Sequence, residues 1–110
     1  MRELLVEVLA DAGYDVIAAR SGRELFASVE ATRGDVAVVV TDLRMPAYDG
    51  LEVAEAWAHD RSRPPMILMS AFPDAAARAR AAAIGVPLLQ KPFDLSVLEE
   101  LVRRLAARAR

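Results

Sequence analysis

Hydrophobic residues follow two alternating patterns along the chain, one with the spacing of helices and one with the spacing of strands. Apolar positions recur every three or four residues over 2–12, 21–34 and 51–59, which predicts three amphipathic helices. Residues 14–18 alternate between apolar and polar, as is typical of an edge strand with one wetter face. Residues 36–40 are apolar throughout, which predicts a strand buried on both faces.

The same alternation continues through the second half of the chain. Residues 66–70 predict another buried strand, and residues 86–90 predict a final short one. The alanine-rich segment 74–84 predicts a helix that ends at Gly85, and residues 94–110 predict the last helix. The predicted order, α-β-α-β-α-β-α-β-α, is typical of an α/β fold in which helices cover both faces of a parallel, doubly wound sheet.

Composition excludes several classes of function. A chain of 110 residues builds one domain, and we expect no separate output domain. The absence of cysteine excludes disulfides, thiolate metal sites and cysteine nucleophiles. A net charge of -2, without a basic excess, argues against direct nucleic-acid binding, and no apolar run approaches the roughly 20 residues that span a bilayer. We therefore expect a cytoplasmic protein that does not contact a membrane.

Lys91 is the single lysine among the chain's 14 basic residues. Its compact ammonium group differs chemically from the planar guanidinium of arginine, so a site that needs a point charge would reject arginine. The alternative is that the single lysine stands at position 91 by chance and has no special role there.

Three predicted strands end in side chains that carry chemistry. Asp42 follows the first buried strand, Ser70 closes the second, and Lys91 follows the last. Because ligands bind at the carboxyl ends of parallel strands, we expect these side chains to meet at one edge of the sheet. A carboxylate nucleophile, a hydroxyl donor and a counter-charge suit phosphoryl acceptance. Taken singly, each has a structural reading, as a turn residue, a strand-end cap and a solvated cation.

Longer motifs surround these residues. Residues 41–50 read TDLRMPAYDG and residues 91–93 read KPF. With Ser70 at the intervening strand end, they make the chain similar, over essentially its whole length, to the receiver domain of two-component response regulators. The resemblance implies a flavodoxin-like, doubly wound parallel sheet with strand order 2-1-3-4-5.

The resemblance also implies specific roles. Asp42 would accept a phosphoryl group from a sensor histidine kinase or phosphotransfer protein, Ser70 would be the switch hydroxyl, and Lys91 would pair with the phosphoryl group. Mg²⁺ would be held by Asp42 and by the backbone carbonyl of Arg44. Such a protein is a switch for a downstream protein target, and it is no enzyme beyond its own phosphorylation and dephosphorylation.

The chain departs from the family at its start. Receivers begin with a central strand followed by an acidic pair that holds Mg²⁺, whereas this chain begins at the first helix. Glu3 and Glu7 are poor substitutes for that pair, so we expect weak Mg²⁺ binding and slow phosphotransfer. The missing first strand would leave a slot in the middle of the sheet, which favours a truncated chain; the alternatives are a sheet that closes up or one that borrows a strand from a partner. Leu88 stands where the family usually has Tyr or Phe, and it lacks a hydroxyl.

Two alternative functions remain open at this point. A degenerate receiver that never takes phosphate would act as a protein-binding module. A small flavodoxin-like enzyme or nucleotide binder would need a Gly-rich phosphate loop or Walker motif, and the chain has neither.

A homodimer is a further expectation. Receivers commonly associate through the face formed by the fourth helix, last strand and last helix. There the candidate arginines are Arg78, Arg80 and Arg103, if they pair with Glu99 or Glu100. Exposed ion pairs of this kind are individually weak.

Overall fold

The computed structural model describes residues 2–15, 22–32, 36–43, 50–60 and 63–108. These residues form the helices α1 (Arg2–Asp11), α2 (Gly22–Thr32), α3 (Gly50–Trp57), α4 (Ala75–Ala83) and α5 (Leu95–Arg108), and the strands β1 (Val39–Asp42), β2 (Met66–Ser70) and β3 (Leu88–Gln90). Each of these elements was predicted from the hydrophobic pattern. The edge strand predicted over 14–18 falls largely outside the described residues, and Tyr14 and Asp15 themselves are not in a strand.

The strands form a parallel sheet in the order β1-β2-β3. Asp42 pairs with Met69, and Ser70 pairs with Gln90, so the carboxyl ends of the strands lie level with one another. Among the described residues β1 pairs with β2 alone. No described strand therefore lies on the other edge of β1, which is the position at which the first strand was expected to be missing.

Two strands begin later than predicted, and proline explains both differences. The N–H of Val39 donates to the carbonyl of Pro65 at 2.9 Å, and the N–H of Leu68 donates to the carbonyl of Pro87 at 2.9 Å. The next hydrogen bond toward the start of each ladder would need an N–H from one of these prolines, which have none. Strand β1 accordingly starts at Val39 rather than residue 36, and β3 starts at residue 88 rather than 86.

Helix ends follow local chemistry. The side chain of Asp74 accepts a hydrogen bond from the N–H of Ala77 at 2.7 Å and caps the start of α4. Gly85 follows α4 with a φ of 71°, and Gly13 follows α1 with a φ of 101°. This left-handed conformation favours glycine, as the sequence pattern predicted for both positions.

Helices cover both faces of the sheet. On one face, α2, α3 and α4 pack against Met66 and Leu68 of β2. On the other face, α1 and α5 pack against Ile67 and Met69 of the same strand. The alternation along β2 buries all four side chains, so this strand forms the centre of both cores. Within the ranges described, no helix is long and apolar enough to cross a bilayer.

Candidate functional site

The carboxyl edge of the sheet brings three predicted site residues together. Asp42 ends β1, Ser70 ends β2, and Lys91 directly follows β3. They line one open cleft of about 270 Å³, whose lining consists of Asp42, Leu43, Met69, Ser70, Ala71, Phe72 and Lys91. The parallel order of the strands thus produces the juxtaposition that the sequence predicted.

Lys91 and Asp42 form an ion pair within this cleft. The Nζ atom of Lys91 donates to Oδ1 of Asp42 at 2.5 Å. The Asp42 side chain is 49% exposed and the Lys91 side chain 25% exposed, so the carboxylate stays accessible from solvent while the ammonium is more enclosed. This geometry leaves the carboxylate open to a reagent that arrives from outside the protein.

Two backbone N–H groups donate hydrogen bonds to Ser70, one to its carbonyl and one to its hydroxyl. Its carbonyl accepts a hydrogen bond from the N–H of Lys91 at 2.8 Å, which continues the ladder between β2 and β3. Its Oγ accepts a hydrogen bond from the N–H of Phe72 at 3.3 Å. Because the hydroxyl acts as an acceptor in that contact, its own proton is available for donation to a ligand in the cleft.

Gly50 supports the position of Asp42. The N–H of Gly50 donates to the carbonyl of Leu43 at 2.7 Å, which closes the loop between β1 and α3. A Cβ atom at Gly50 would lie 2.3 Å from the backbone oxygen of Asp42, so only glycine fits at this distance. In the sequence, Gly50 stood out only as the last residue of the motif TDLRMPAYDG. The close approach depends on tertiary packing, and no local signal distinguishes it from an ordinary turn glycine.

The described residues do not make a complete Mg²⁺ site. Asp42 is the one carboxylate among the described residues that line the cleft. In the part of the chain that the structure describes, no three His, Cys, Asp or Glu residues are grouped to hold a metal ion. Glu7 is an exposed residue of α1. Arg44, the predicted carbonyl ligand, and the Glu3 side chain lie outside what the structure describes.

Leu88 and the three arginines proposed for a dimer surface are not among the described residues that line this cleft. Leu88 is half-buried and packs against the core beneath α2, α3 and α4. The three arginines proposed for a dimer surface have partners within the chain. Arg78 donates to Gln90 at 2.7 Å, Arg80 forms a two-pronged contact with Glu55, and Arg103 does the same with Glu100.

These contacts shift the pKa values of the carboxylates involved. Hydrogen bonds from Arg80 hold the pKa of Glu55 below its ordinary value, and those from Arg103 do the same for the pKa of Glu100. One of the residue pairs predicted for the dimer surface, Arg103 with Glu100, forms an ion pair within helix α5 of a single chain. The homodimer itself stays a prediction.

Comparisons with known proteins place the chain in a family. Residues 1–103 match the family model of the response regulator receiver domain. Regulatory protein AtoC of Escherichia coli (strain K12) is 32% identical over 108 residues, which cover 94% of this chain and 22% of AtoC. Transcriptional regulatory protein PdtaR of Mycobacterium tuberculosis (strain ATCC 25618 / H37Rv) is 32% identical over 109 residues, which cover 96% of this chain and 51% of PdtaR. The chain therefore spans between about a fifth and a half of the length of these relatives.

Solved structures agree. The chemotaxis response regulator CheY4 of Vibrio cholerae superposes with a TM-score of 0.78 at 27% identity, over 94% of this chain and 88% of that chain. The signal receiver domain of a signal transduction histidine kinase from Syntrophus aciditrophicus gives a TM-score of 0.83 at 27% identity, over 98% of this chain and 83% of that one. These matches confirm the predicted flavodoxin-like fold, and the chain belongs to the response regulator receiver domain family.

Proposed function

We propose that the chain is a phosphoacceptor switch in two-component signal transduction. Asp42 takes a phosphoryl group from a sensor histidine kinase or a phosphotransfer protein, and Ser70 and Lys91 hold the phosphoryl oxygens. The observation that carries the proposal is the contact between Lys91 Nζ and Asp42 Oδ1 in an open cleft that Ser70 also lines. Membership of the receiver family supports the same assignment.

The transfer step follows from the groups present. Because Lys91 contacts Oδ1, we assign Oδ2 of Asp42 as the nucleophile. A bond forms between Oδ2 and phosphorus while the P–N bond of a phosphohistidine breaks. The electron pair of that bond leaves with the imidazole, which takes up a proton from water. The Lys91 ammonium and the Ser70 hydroxyl stabilise charge on the transferred oxygens, as positioned donors do in other phosphoryl-transfer sites.

Phosphorylation would change the surface around the cleft. It adds negative charge and new acceptor oxygens, which draw Lys91 and Ser70 toward the phosphoryl group. Ser70 is coupled to the following loop through the N–H of Phe72, so its movement alters a nearby surface. The chain then acts as a switch read by a downstream protein, and its own chemistry is limited to gaining and losing this group.

Intact-mass spectrometry tests this assignment. The folded chain is incubated with phosphoramidate, a small donor with the P–N bond of phosphohistidine, with and without Mg²⁺. We expect one added phosphoryl group on the wild-type chain and none on Asp42→Asn. Asp11→Asn is the matched control, because Asp11 is an exposed carboxylate that does not line the cleft. An adduct that persists in Asp42→Asn would overturn the proposal.

The alternative is a degenerate receiver that binds a partner without phosphorylation. Receiver domains generally bind Mg²⁺, and the single carboxylate described in this cleft favours weak binding. A chain that is folded by circular dichroism and gains no phosphoryl group at any Mg²⁺ concentration would support this alternative.

The cellular setting is part of the proposal. We propose a cytoplasmic protein whose direct partners are a phosphodonor protein, a downstream protein target and, on phosphorylation, a second copy of the chain. A net charge of -2 supports protein partners over direct contact with nucleic acid.

A further inference from the structure

Thr41 is the one buried polar side chain among the described residues. It is 6% exposed and directly precedes Asp42 in β1. Val39, on the same face of the strand, belongs to the apolar core on that side of the sheet. A hydroxyl group in such surroundings costs stability unless it is hydrogen-bonded, and valine would fill nearly the same space without that cost. Packing alone therefore does not explain a hydroxyl at this position.

The two branches of the Thr41 side chain have separate contacts. Its hydroxyl Oγ1 donates a hydrogen bond to the backbone carbonyl of Asp42 at 3.2 Å. Its methyl group faces the start of α3, because a Cβ atom at Gly50 would lie 3.1 Å from Thr41 Cγ2. The methyl group thus serves the packing of α3 on the sheet, and the hydroxyl serves the backbone of the next residue.

The peptide unit that follows Asp42 is held at both of its polar atoms. The Asp42 carbonyl accepts from Thr41, and the N–H of Leu43 donates to the carbonyl of Met69 at 2.7 Å. Because this planar unit includes the Cα atom of Asp42, its orientation sets the direction in which the Asp42 side chain leaves the strand. Lys91 holds the other end of that side chain through Oδ1. The position of Oδ2 follows from these two constraints.

We infer that Thr41 is a positioning residue for phosphoryl transfer, an inference that rests on the proposed function. Its hydroxyl fixes the backbone of Asp42 so that Oδ2 faces the incoming phosphorus atom. Thr41 is not among the described residues that line the cleft, so it acts through Asp42 alone. A displacement of about 1 Å at a reacting atom can slow a reaction about 100-fold. Because the hydroxyl is one of several groups that hold Asp42, we expect a smaller effect, of roughly tenfold.

Two substitutions separate the role of the hydroxyl from that of the methyl group. Thr41→Val keeps the branched shape and removes the hydroxyl, so we expect phosphorylation to slow about tenfold while the urea midpoint of unfolding stays the same or rises. Thr41→Ser keeps the hydroxyl and removes the buried methyl group, so the urea midpoint should fall while the phosphorylation rate stays near that of the wild type. A residue with a purely structural role would lose rate and stability together.

Intact mass over time with phosphoramidate as the donor measures the rates, and circular dichroism confirms that each variant is folded. Ser96→Ala is the matched control, because it removes an exposed hydroxyl on α5 that does not line the cleft. It should change neither quantity.

A rate for Thr41→Val equal to that of the wild type would overturn the inference and leave the proposed function intact. Slowing of Thr41→Ser to the same extent as Thr41→Val would also overturn it, because the hydroxyl would then not be the group that matters. A folded wild-type chain that gains no phosphoryl group would overturn the proposed function, and this inference with it.

Discussion

Lys91 reaches across the end of the middle strand to contact Asp42, with 2.5 Å between its Nζ and the Oδ1 of the carboxylate. The two residues are 49 positions apart, at the ends of strands that each pair with β2 and not with each other. Two strand spacings amount to about 9.6 Å, so a long side chain is needed to bridge this gap. Ser70 ends the strand that lies between them. Asp42 and Lys91 therefore lie on either side of the strand that carries the Ser70 hydroxyl, and their ion pair closes the site across the end of that strand.

Removal of the Lys91 ammonium should slow phosphorylation. We expect Lys91→Ala to lower the rate of phosphorylation by phosphoramidate by about 100-fold, the size of effect that the loss of one positioned donor has in enzymes. Lys91→Arg should recover only part of the rate, because the guanidinium is broader and presents a planar fork. Intact mass over time measures both rates. Arg78→Ala, which removes an exposed contact to Gln90, is the control, and an unchanged rate in Lys91→Ala would contradict the assigned role.

Gly50→Ala should affect both stability and the site. The added methyl group would lie 2.3 Å from the backbone oxygen of Asp42, which forces β1 or the start of α3 to move. We expect a loss of about 1–3 kcal/mol in the free energy of unfolding, measured by urea denaturation, together with slower phosphorylation.

Gly85→Ala measures the effect of backbone strain without the steric clash that Gly50→Ala introduces. Gly85 has a φ of 71°, and no atom lies within 4 Å of the place that an added methyl group would take. Its substitution therefore costs about 1–2 kcal/mol through strain alone. We expect the phosphorylation rate of Gly85→Ala to match that of the wild type. If Gly50→Ala behaved in the same way, Gly50 would have no part in positioning Asp42.

Arg63 ties two helices together at the opposite end of the domain. Its guanidinium lies 5.2 Å from the centroid of the Trp57 ring and forms ion pairs with Glu30 of α2 and with Asp60. We expect Arg63→Ala to lower the urea midpoint of unfolding through the combined loss of these contacts. Urea unfolding followed by Trp57 fluorescence measures the change. Arg104→Ala, at an exposed position on α5, is the control and should shift the midpoint far less. Equal shifts in the two variants would contradict the stabilising role assigned to the contacts of Arg63.

The contact between Glu55 and Arg80 should make stability depend on pH. The hydrogen bonds from Arg80 lower the pKa of Glu55 below its ordinary value of 4.5 in the folded chain. The contribution to stability is therefore fully present above pH 4.5 and is lost as the pH falls through the folded-state pKa. Because both side chains are well exposed, we expect a few tenths of a kcal/mol.

Urea unfolding at a series of pH values between neutral and acid tests this dependence. The difference in unfolding free energy between the wild type and Glu55→Gln should shrink as the pH falls. Glu52→Gln, on an exposed position of the same helix, serves as the control. If the difference in unfolding free energy between the wild type and Glu55→Gln grew toward acid pH, the result would contradict a lowered pKa of Glu55.

Much of the fold could be predicted from the sequence, because its signals are local. Periods of hydrophobicity identified the helices and strands that the structure describes, and the alternation of elements indicated a parallel sheet. The carboxyl ends of such strands must share an edge, so Asp42, Ser70 and Lys91 were predicted to meet. The roles assigned to these residues stay predictions.

Tertiary structure decided what depends on distant segments. The starts of β1 and β3 were predicted too early, because a proline limits each ladder and hydrophobicity does not report a missing N–H. The proline that limits β1 is Pro65, directly before its partner strand β2, and the one that limits β3 is Pro87, within the segment predicted for β3 itself. The need for glycine at position 50 arises from the approach of α3 to Asp42. The exposure of Phe72 could not be predicted either, because the periodic patterns that distinguish buried from exposed residues apply to helices and strands and not to loops. Local pattern determined which elements form, and only their packing determined which atoms meet.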